Sequence, residues 1–365
     1  MYSGRAEKTI QACRFCWMCR HVCPIGLKTG KESHNPRGKA LLLSLDEKGV
    51  DLLNDLARDI FECCLCNACA ENCETGYEPA VFIREARQKV YINNMAPESV
   101  EAVIEHALKT GSIYKETEKK KSFFSEISKG LPETADVLIY LGESAATHCP
   151  EMAFSLVNLL KKAGIDFMVN KQEVPSGAEL YDLLGGVEEV QRIARICTEQ
   201  INTSKAKDIV VLDPTNARMF KQEYPTWGCE VKGNVSTATS FVDKLIKDQK
   251  LVVRKTQKNV TFHDPCRLAR DLKETLPARS ILSTMGITIK EMFQHGSLTK
   301  CCGGEVLASH SNYLATLTAE GRLDDVRRIG VDTVVCACPS CVNNLTHDKS
   351  EIKVIDLFSL LDSNC

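Results

Sequence analysis

Apolar residues recur at helical spacing through the first third of the chain and in short continuous runs after it. Leu41, Leu42 and Leu45, then Leu52, Leu53, Leu56 and Ile60, stand three or four residues apart, with Gly49 as the break between two predicted helices. Phe82, Ile83, Ala86 and Val90 predict another helix, and Val100, Val103, Ile104, Ala107 and Leu108 one more after Pro97. Lys119, Lys120 and Lys121 fall in a polar linker that ends near Pro132. From Ala135 the pattern changes. VLIYLG (Val137 to Gly142), DIVVLDP (Asp208 to Pro214), VTFHDPC (Val260 to Cys266) and DTVVCACP (Asp332 to Pro339) read as strands buried on both faces. Helices lie between them: Ala153, Leu156, Val157 and Leu160 mark one closed by Gly164, and Tyr313 to Ile329 is another. Alternation of this kind predicts α/β layers. The expected fold class is therefore α+β multidomain: a helical module at 1–95, a helical linker at 96–134, and two α/β units at 135–250 and 251–365.

Residues 136–228 and 259–345 read as two copies of one unit. VPSGAEL (Val174 to Leu180) aligns with KCCGGEV (Lys300 to Val306), and DIVVLDPTN with DTVVCACPSC after a one-residue gap. The second copy carries Cys266, Cys301, Cys302, Cys338 and Cys341; the first has Pro175, Ser176, Asp213 and Asn216, with Glu143 as the counterpart of Cys266.

A formal net charge of -2 gives no basic excess for nucleic acid. No run of about eighteen apolar residues predicts a transmembrane segment. The start of the chain lacks the apolar core of a secretory signal. The expected location is cytoplasmic, with attachment to the inner face of the cell membrane only through a partner. Nineteen cysteines in such a chain argue for metal rather than disulfides.

The cysteines carry the chemistry. Cys13, Cys16, Cys19 and Cys23 (followed by Pro24), and again Cys63, Cys66, Cys69 and Cys73, read C-x2-C-x2-C-x3-C. Three thiolates at that spacing wrap one face of an iron-sulfur cube while the fourth reaches the other cube. Cys13, Cys16, Cys19 and Cys73 would then hold one 4Fe-4S cluster, and Cys63, Cys66, Cys69 and Cys23 the other. Structural zinc uses two pairs of ligands, which a repeated three-plus-one pattern does not match. The 39 residues between Cys23 and Cys63 include Asn35 to Lys39 (NPRGK), whose Arg37 and Lys39 either offset thiolate charge or form a solvated turn. The five cysteines of the second copy predict a metal site where strand-end loops converge, with Gly303 and Gly304 allowing close backbone approach. Zinc or a redox dithiol at Cys338 and Cys341 are the competing readings. His263 and Asp264 either tune or protonate that site, or simply bond the loop. Cys64, Cys149, Cys197, Cys229, Cys336 and Cys365 fit neither pattern and read as buried apolar residues or surface thiols. No G-x-G-x-x-G follows a predicted strand, so a flavin would belong to another chain.

With its paired ferredoxin-type runs followed by HDPCRLAR, CCGG and CPSC, the chain resembles the cysteine-rich-domain family of heterodisulfide reductase. Its layout is similar to the fused D-type subunit and to the iron-sulfur subunits of glycolate oxidase and anaerobic glycerol-3-phosphate dehydrogenase. The resemblance implies an α-helical ferredoxin with two cubes and two cysteine-rich repeats. It also implies a third iron-sulfur cluster, cubane or noncubane, on Cys266, Cys301, Cys302, Cys338 and Cys341. Family members cleave a disulfide between two clusters, and the first repeat here departs from the pattern at each ligand position. The leading expectation is thus an electron-transfer subunit. It would serve an FAD-containing dehydrogenase of a hydroxy acid, polyol phosphate or amine, and pass electrons to a membrane quinone-linked subunit or a soluble carrier. The alternative is a heterodisulfide or disulfide reductase subunit acting at the second repeat.

Overall fold

The helical spacing of the first third becomes helices Gly4–Ala12, Pro24–Thr29, Pro36–Glu47, Leu53–Phe61 and Pro79–Ile92. The structure, a computed structural model, describes residues 2–115, 117–347 and 350–365. Asn35 caps the third of these helices: its side-chain oxygen accepts from Gly38 N at 2.9 Å, and Pro36 fills the first position, where no N–H is needed. The NPRGK stretch is therefore a helix start, and Lys39 within it is buried. Gly49, at φ +90°, makes the predicted break.

One apolar core joins this module to later parts of the chain. Ile10, Leu43, Phe61, Phe82 and Val90 pack in the same cluster as Val100, Ile104 and Ala107 of helix Glu98–Thr110 and as Leu180, Leu183 and Val190 further on. Each such Val, Leu, Ile or Phe side chain, taken fully out of water, contributes about 1.5–3 kcal/mol. Segment 96–134 is accordingly part of the packing. The expected polar linker at Lys119 to Lys121 is corrected to a helix, Glu118–Ile127, in which Lys120 is buried and its ammonium pairs with Glu143.

Two four-stranded parallel sheets make up the remainder. The first is built from β1 (Val137–Tyr140), β2 (Phe167–Val169), β3 (Asp208–Val211) and β4 (Asn234–Thr237) in the order β2-β1-β3-β4. Val137 pairs with Phe167 and Asp208, and Asp208 with Asn234. The second uses β5 (Asn259–His263), β6 (Thr288–Ile289), β7 (Thr333–Cys336) and β8 (Lys353–Asp356) in the order β6-β5-β7-β8. Thr261 pairs with Val334, and Thr333 with Lys353. The four predicted strands are the inner pairs; the outer four were not predicted. Helices Pro150–Lys162 and Leu357–Asp362 pack the two sheet units together through a shared core that includes Ile139, Leu156, Phe262, Val335 and Phe358. Among the described residues no helix is long and apolar enough to cross a membrane.

Candidate iron-sulfur sites

The two ferredoxin-type runs fold alike. Phe15 and Leu65, the second residues between the first two cysteines of each run, have φ of 50° and 49°. That reversal aims the Phe15 N–H at Cys13 Sγ and the Leu65 N–H at Cys63 Sγ, both at 3.4 Å. Gly26 N–H similarly reaches Cys23 Sγ at 3.5 Å. Amides turned onto sulfur stabilise thiolate charge.

The fourth cysteine of each run crosses over. Cys13 feels the charge of Cys16 and Cys73, whereas Cys23 feels Cys63 and Cys66. Cys23, Cys63, Cys66 and Cys69 line one cavity together with Lys39 and His34. Burial pushes the Cys19 thiol up to about 11 and the Cys23 thiol up to about 12, and holds Cys69 well above the usual range. Without a cation these thiols stay neutral, and a metal must drive their deprotonation. Lys39 Nζ donates to Ser33 O at 2.8 Å, while Arg37 lies over the Trp17 ring and donates to Phe15 O at 2.6 Å. Lys39 faces the Cys23 and Cys63 sulfurs, and Arg37 adds positive charge near Cys13.

Sulfur spacing separates cluster from zinc in the two ferredoxin-type sets. A tetrahedral ion with bonds of about 2.3 Å requires sulfurs about 3.8 Å apart. Among the described residues, only His263 with Cys302 and Cys341, and His34 with Asp59 and Glu62, form groups of three ligand atoms within 4.8 Å of one another. Neither ferredoxin-type set closes that far, which fits a multi-iron core, whereas Cys302, Cys341 and His263 do close, so spacing does not separate cluster from zinc at the third site. His34 is a strut: its Nδ1 meets Thr29 Oγ1 at 2.9 Å, and its Nε2 meets Asp59 at 3.0 Å and Glu62 at 2.7 Å.

The five remaining patterned cysteines stand at the carboxyl ends of β5 and β7 and in the loop before helix Glu305–His310. They line a second cavity with Cys64, Glu179, Asp182, Arg267 and Glu305. Gly303 sits at φ +111°, where a Cβ would come within 3.1 Å of Ala315 O, and its N–H reaches Cys301 Sγ at 3.4 Å. Cys302 and Cys341 sulfurs are 3.4 Å apart. Contacts with the Cys301 and Cys341 thiols hold the Cys302 thiol well below its usual range.

His263 and Asp264 part ways. Arg322 Nε donates to His263 Nδ1 at 3.1 Å, so the ring proton of the neutral imidazole lies on Nε2, which has no hydrogen-bond partner among the described residues; the ring lies within 4.8 Å of the Cys302 and Cys341 sulfurs. Burial lowers the His263 pKa, which keeps the ring neutral. Asp264 turns away to Arg279 at 2.6 and 2.9 Å and to Gly296 N at 2.8 Å. It bonds the loop.

Cys64, which its spacing left unassigned, lines both cavities. Cys66 and Cys301, one from each cavity, share a small packed patch with Val22 and Ala68, and Cys64 packs on it. Arg270 clamps the join, with Nε to Cys66 O at 2.6 Å and Nη1 to Thr299 O at 2.7 Å. Beside it, buried Asp182 pairs with Arg84 at 2.8 Å and with Arg267, whose Nη1 donates to Leu65 O at 3.2 Å. The only sequence signal for Cys64 was a doublet, Cys63-Cys64, like Cys301-Cys302. Cys149 lies near Cys338 but bonds Pro339 O at 3.4 Å.

In the first sheet unit the aligned positions are closed by polar contacts. Ser176 Oγ donates to Asn216 Oδ1, Asp213 accepts from Thr215 N at 2.8 Å, and Glu143 accepts from Ser112 Oγ at 2.8 Å.

Comparison with known proteins agrees with this chemistry. Residues 9–77 match the 4Fe-4S dicluster domain family and residues 260–346 the cysteine-rich (CCG) domain family. The D-type subunit of the dihydromethanophenazine:CoB–CoM heterodisulfide reductase of Methanosarcina barkeri is 26% identical, over 96% of this chain and 93% of that one. The B-type subunit of the fumarate reductase (CoM/CoB) of Methanothermobacter marburgensis is 24% identical, over 97% of this chain and 72% of that one. Among solved structures, a hypothetical protein from Helicobacter pylori superposes with a TM-score of 0.55 at 9% identity, covering 99% of this chain and 72% of that one. That likeness is one of fold.

Proposed function

Taking as premise that the chain is homologous to the D-type subunit of heterodisulfide reductase and to related iron-sulfur proteins, we propose that it is the disulfide-reducing subunit of an oxidoreductase complex. One 4Fe-4S cluster is assigned to Cys13, Cys16, Cys19 and Cys73, and a second to Cys23, Cys63, Cys66 and Cys69. A third, noncubane or cubane, is assigned to Cys266, Cys301, Cys302, Cys338 and Cys341. When bound, these clusters supply one-electron transfer. The chain's own residues do the rest: amide N–H groups and Lys39 offset thiolate charge, and the Arg267 and Arg270 clamps fix the two cavities side by side.

The observation that carries this reading is the second cavity, where the five cysteines share walls with Glu179, Asp182, Arg267 and Glu305. A pure relay needs sulfur and packing; carboxyl and guanidinium groups sharing the walls with the sulfurs suit a substrate. We further propose units at 1–95, 96–134, 135–250 and 251–365, the last two being copies of one repeat. Their equal strand order supports this, as do Glu143 and Cys266, each three residues beyond its strand, and positive φ at both Gly177 and Gly303.

A second reading, relay to an FAD-containing dehydrogenase, is favoured by the closed Ser176, Asp213 and Asn216 positions, which leave thiols on one side of the chamber only. Anaerobic reconstitution decides. The disulfide-reductase reading expects about twelve iron and equal sulfide per chain, with oxidation of reduced methyl viologen on adding CoB–CoM heterodisulfide. Loss of iron without such oxidation, or full iron with viologen oxidised only by quinone analogues, would overturn it.

A further inference from the structure

The chamber holds two carboxyl groups that neither cluster ligation nor docking uses. Glu305 opens helix Glu305–His310 just after the Cys301–Gly304 loop, and Glu179 lies in helix Ala178–Leu184, which packs against it. Both line the cavity of the five cysteines. Glu305 is 8% exposed. Its Oε1 accepts from Ser144 Oγ, a residue of the other sheet unit, while its buried Oε2 has no hydrogen-bond partner among the described residues. A carboxyl that accepts through one oxygen and leaves the other unpaired is arranged as an acid: the proton sits on the free oxygen.

We propose that Glu305 is the acid that protonates a departing thiolate in this chamber, with Glu179 supplying the second proton. This rests on the disulfide-reductase reading above. Reduction of R–S–S–R′ breaks one S–S bond, forms two S–H bonds and consumes two electrons and two protons. The electrons come singly from a low-potential one-electron donor; the two carboxyls give the protons and are reloaded from water. Without such donors the products would leave as two thiolates inside a buried chamber, which desolvation opposes.

Burial pushes Glu305 up to about 8 and Glu179 up to about 8, so both carry protons at neutral pH. The groups facing them do not reverse this: the Ser340 hydroxyl favours the Glu305 carboxylate but is outweighed by burial. Arg267 and Arg84 hold Asp182 ionised, and Asp213 and Glu143 add negative charge on the Glu179 side, which favours the neutral acid there. Lys120 is committed to Glu143. The thiols of the five cysteines, once deprotonated, act in the same direction.

The test uses the full anaerobic chain with reduced methyl viologen as donor and CoB–CoM heterodisulfide or hydroxyethyl disulfide as acceptor. Wild type should turn over at neutral pH and lose rate above about pH 8. Glu305→Gln should cut kcat on the order of 100-fold and abolish that alkaline limb, with iron, sulfide and the reduced-state paramagnetic signals unchanged. Glu179→Gln should act in the same direction to a smaller extent. Glu305→Asp should restore part of the rate with a displaced limb, and it carries the test should Glu305→Gln lose iron. Independently of turnover, infrared spectra at pH 7 should contain a protonated-carboxyl band, sensitive to D2O, that Glu305→Gln removes. A wild type that turns over while Glu305→Gln keeps its rate and pH profile overturns the proposal alone. A wild type that reduces neither disulfide overturns the functional reading, and the proposal with it.

Discussion

At the scale of single residues, what matters is which group faces sulfur, and spacing does not report that. His263 and Asp264 are neighbours in sequence, yet Arg322 orients one toward Cys302 and Arg279 draws the other away. The expectation that either could serve the site was open because strand-end alternation alone does not say which partner waits on each face. An N–H aimed at a thiolate raises the potential of a cluster held there. A hydrogen bond to a charged group is worth about 1.5 kcal/mol, which for one electron is about 60 mV. His263→Ala should therefore lower the midpoint potential of the third site by about that much while the two ferredoxin-type signals keep theirs, as followed by redox titration of paramagnetic spectra. An unchanged third-site potential would remove His263 from the thiolate's surroundings. Cys64 escaped the sequence reading for a related reason. Its place between two cavities depends on docking, and only the doublet with Cys63 hinted at it.

At the scale of elements, periodicity located the helices from Leu41 to Leu108 and the central strands β1, β3, β5 and β7, whose runs of Val, Ile and Leu announce burial on both faces. It missed β2, β4, β6 and β8 because they sit at sheet edges, are two to four residues long, and in β4 and β8 mix polar with apolar side chains. The helix Glu118–Ile127 was hidden by three lysines, one of which, Lys120, is buried by its pairing with Glu143. The loop carrying Cys301 and Cys302 was legible from its glycines, and the structure supplies the reason at Gly303. Its φ of +111° excludes ordinary side chains, and a Cβ would press on Ala315 O. Gly303→Ala should cost about 1–3 kcal/mol and displace the Cys301 and Cys302 sulfurs. Iron should fall by about one cluster's worth, while the eight ferredoxin-type cysteines keep theirs. Full iron with wild-type stability would mean that the loop tolerates the left-handed bend in alanine.

At the scale of the whole molecule, the arrangement turns on how the ferredoxin-type module is held against the second sheet unit, a matter of long-range pairing that no local pattern encodes. Asp182 is the hub. It stands in the first sheet unit, is buried, and pairs with Arg84 from the helical module and with Arg267 from the second sheet unit. Three parts of the chain therefore meet on one carboxylate, which its arginine partners hold far below the usual range against the opposing cost of burial. Arg218 also approaches it, at 3.6 Å. Removing one member of such a group leaves the others buried without a counter-charge, a loss of about 3–5 kcal/mol. Asp182→Asn should lower unfolding free energy by about that amount. Because Arg267 also bonds Leu65 O, within the run that carries Cys63 and Cys66, the damage should extend to the join between the two cavities. Electron exchange between the ferredoxin-type sites and the third site should slow in rapid-freeze spectra even where iron content is retained. Asp182→Glu, which keeps the charge, should recover part of both. Slowed exchange at wild-type stability would instead place the role of Asp182 in local orientation of Arg267, and unchanged exchange with lost stability would show that the clamp of Arg270 on Cys66 O and Thr299 O holds the join by itself.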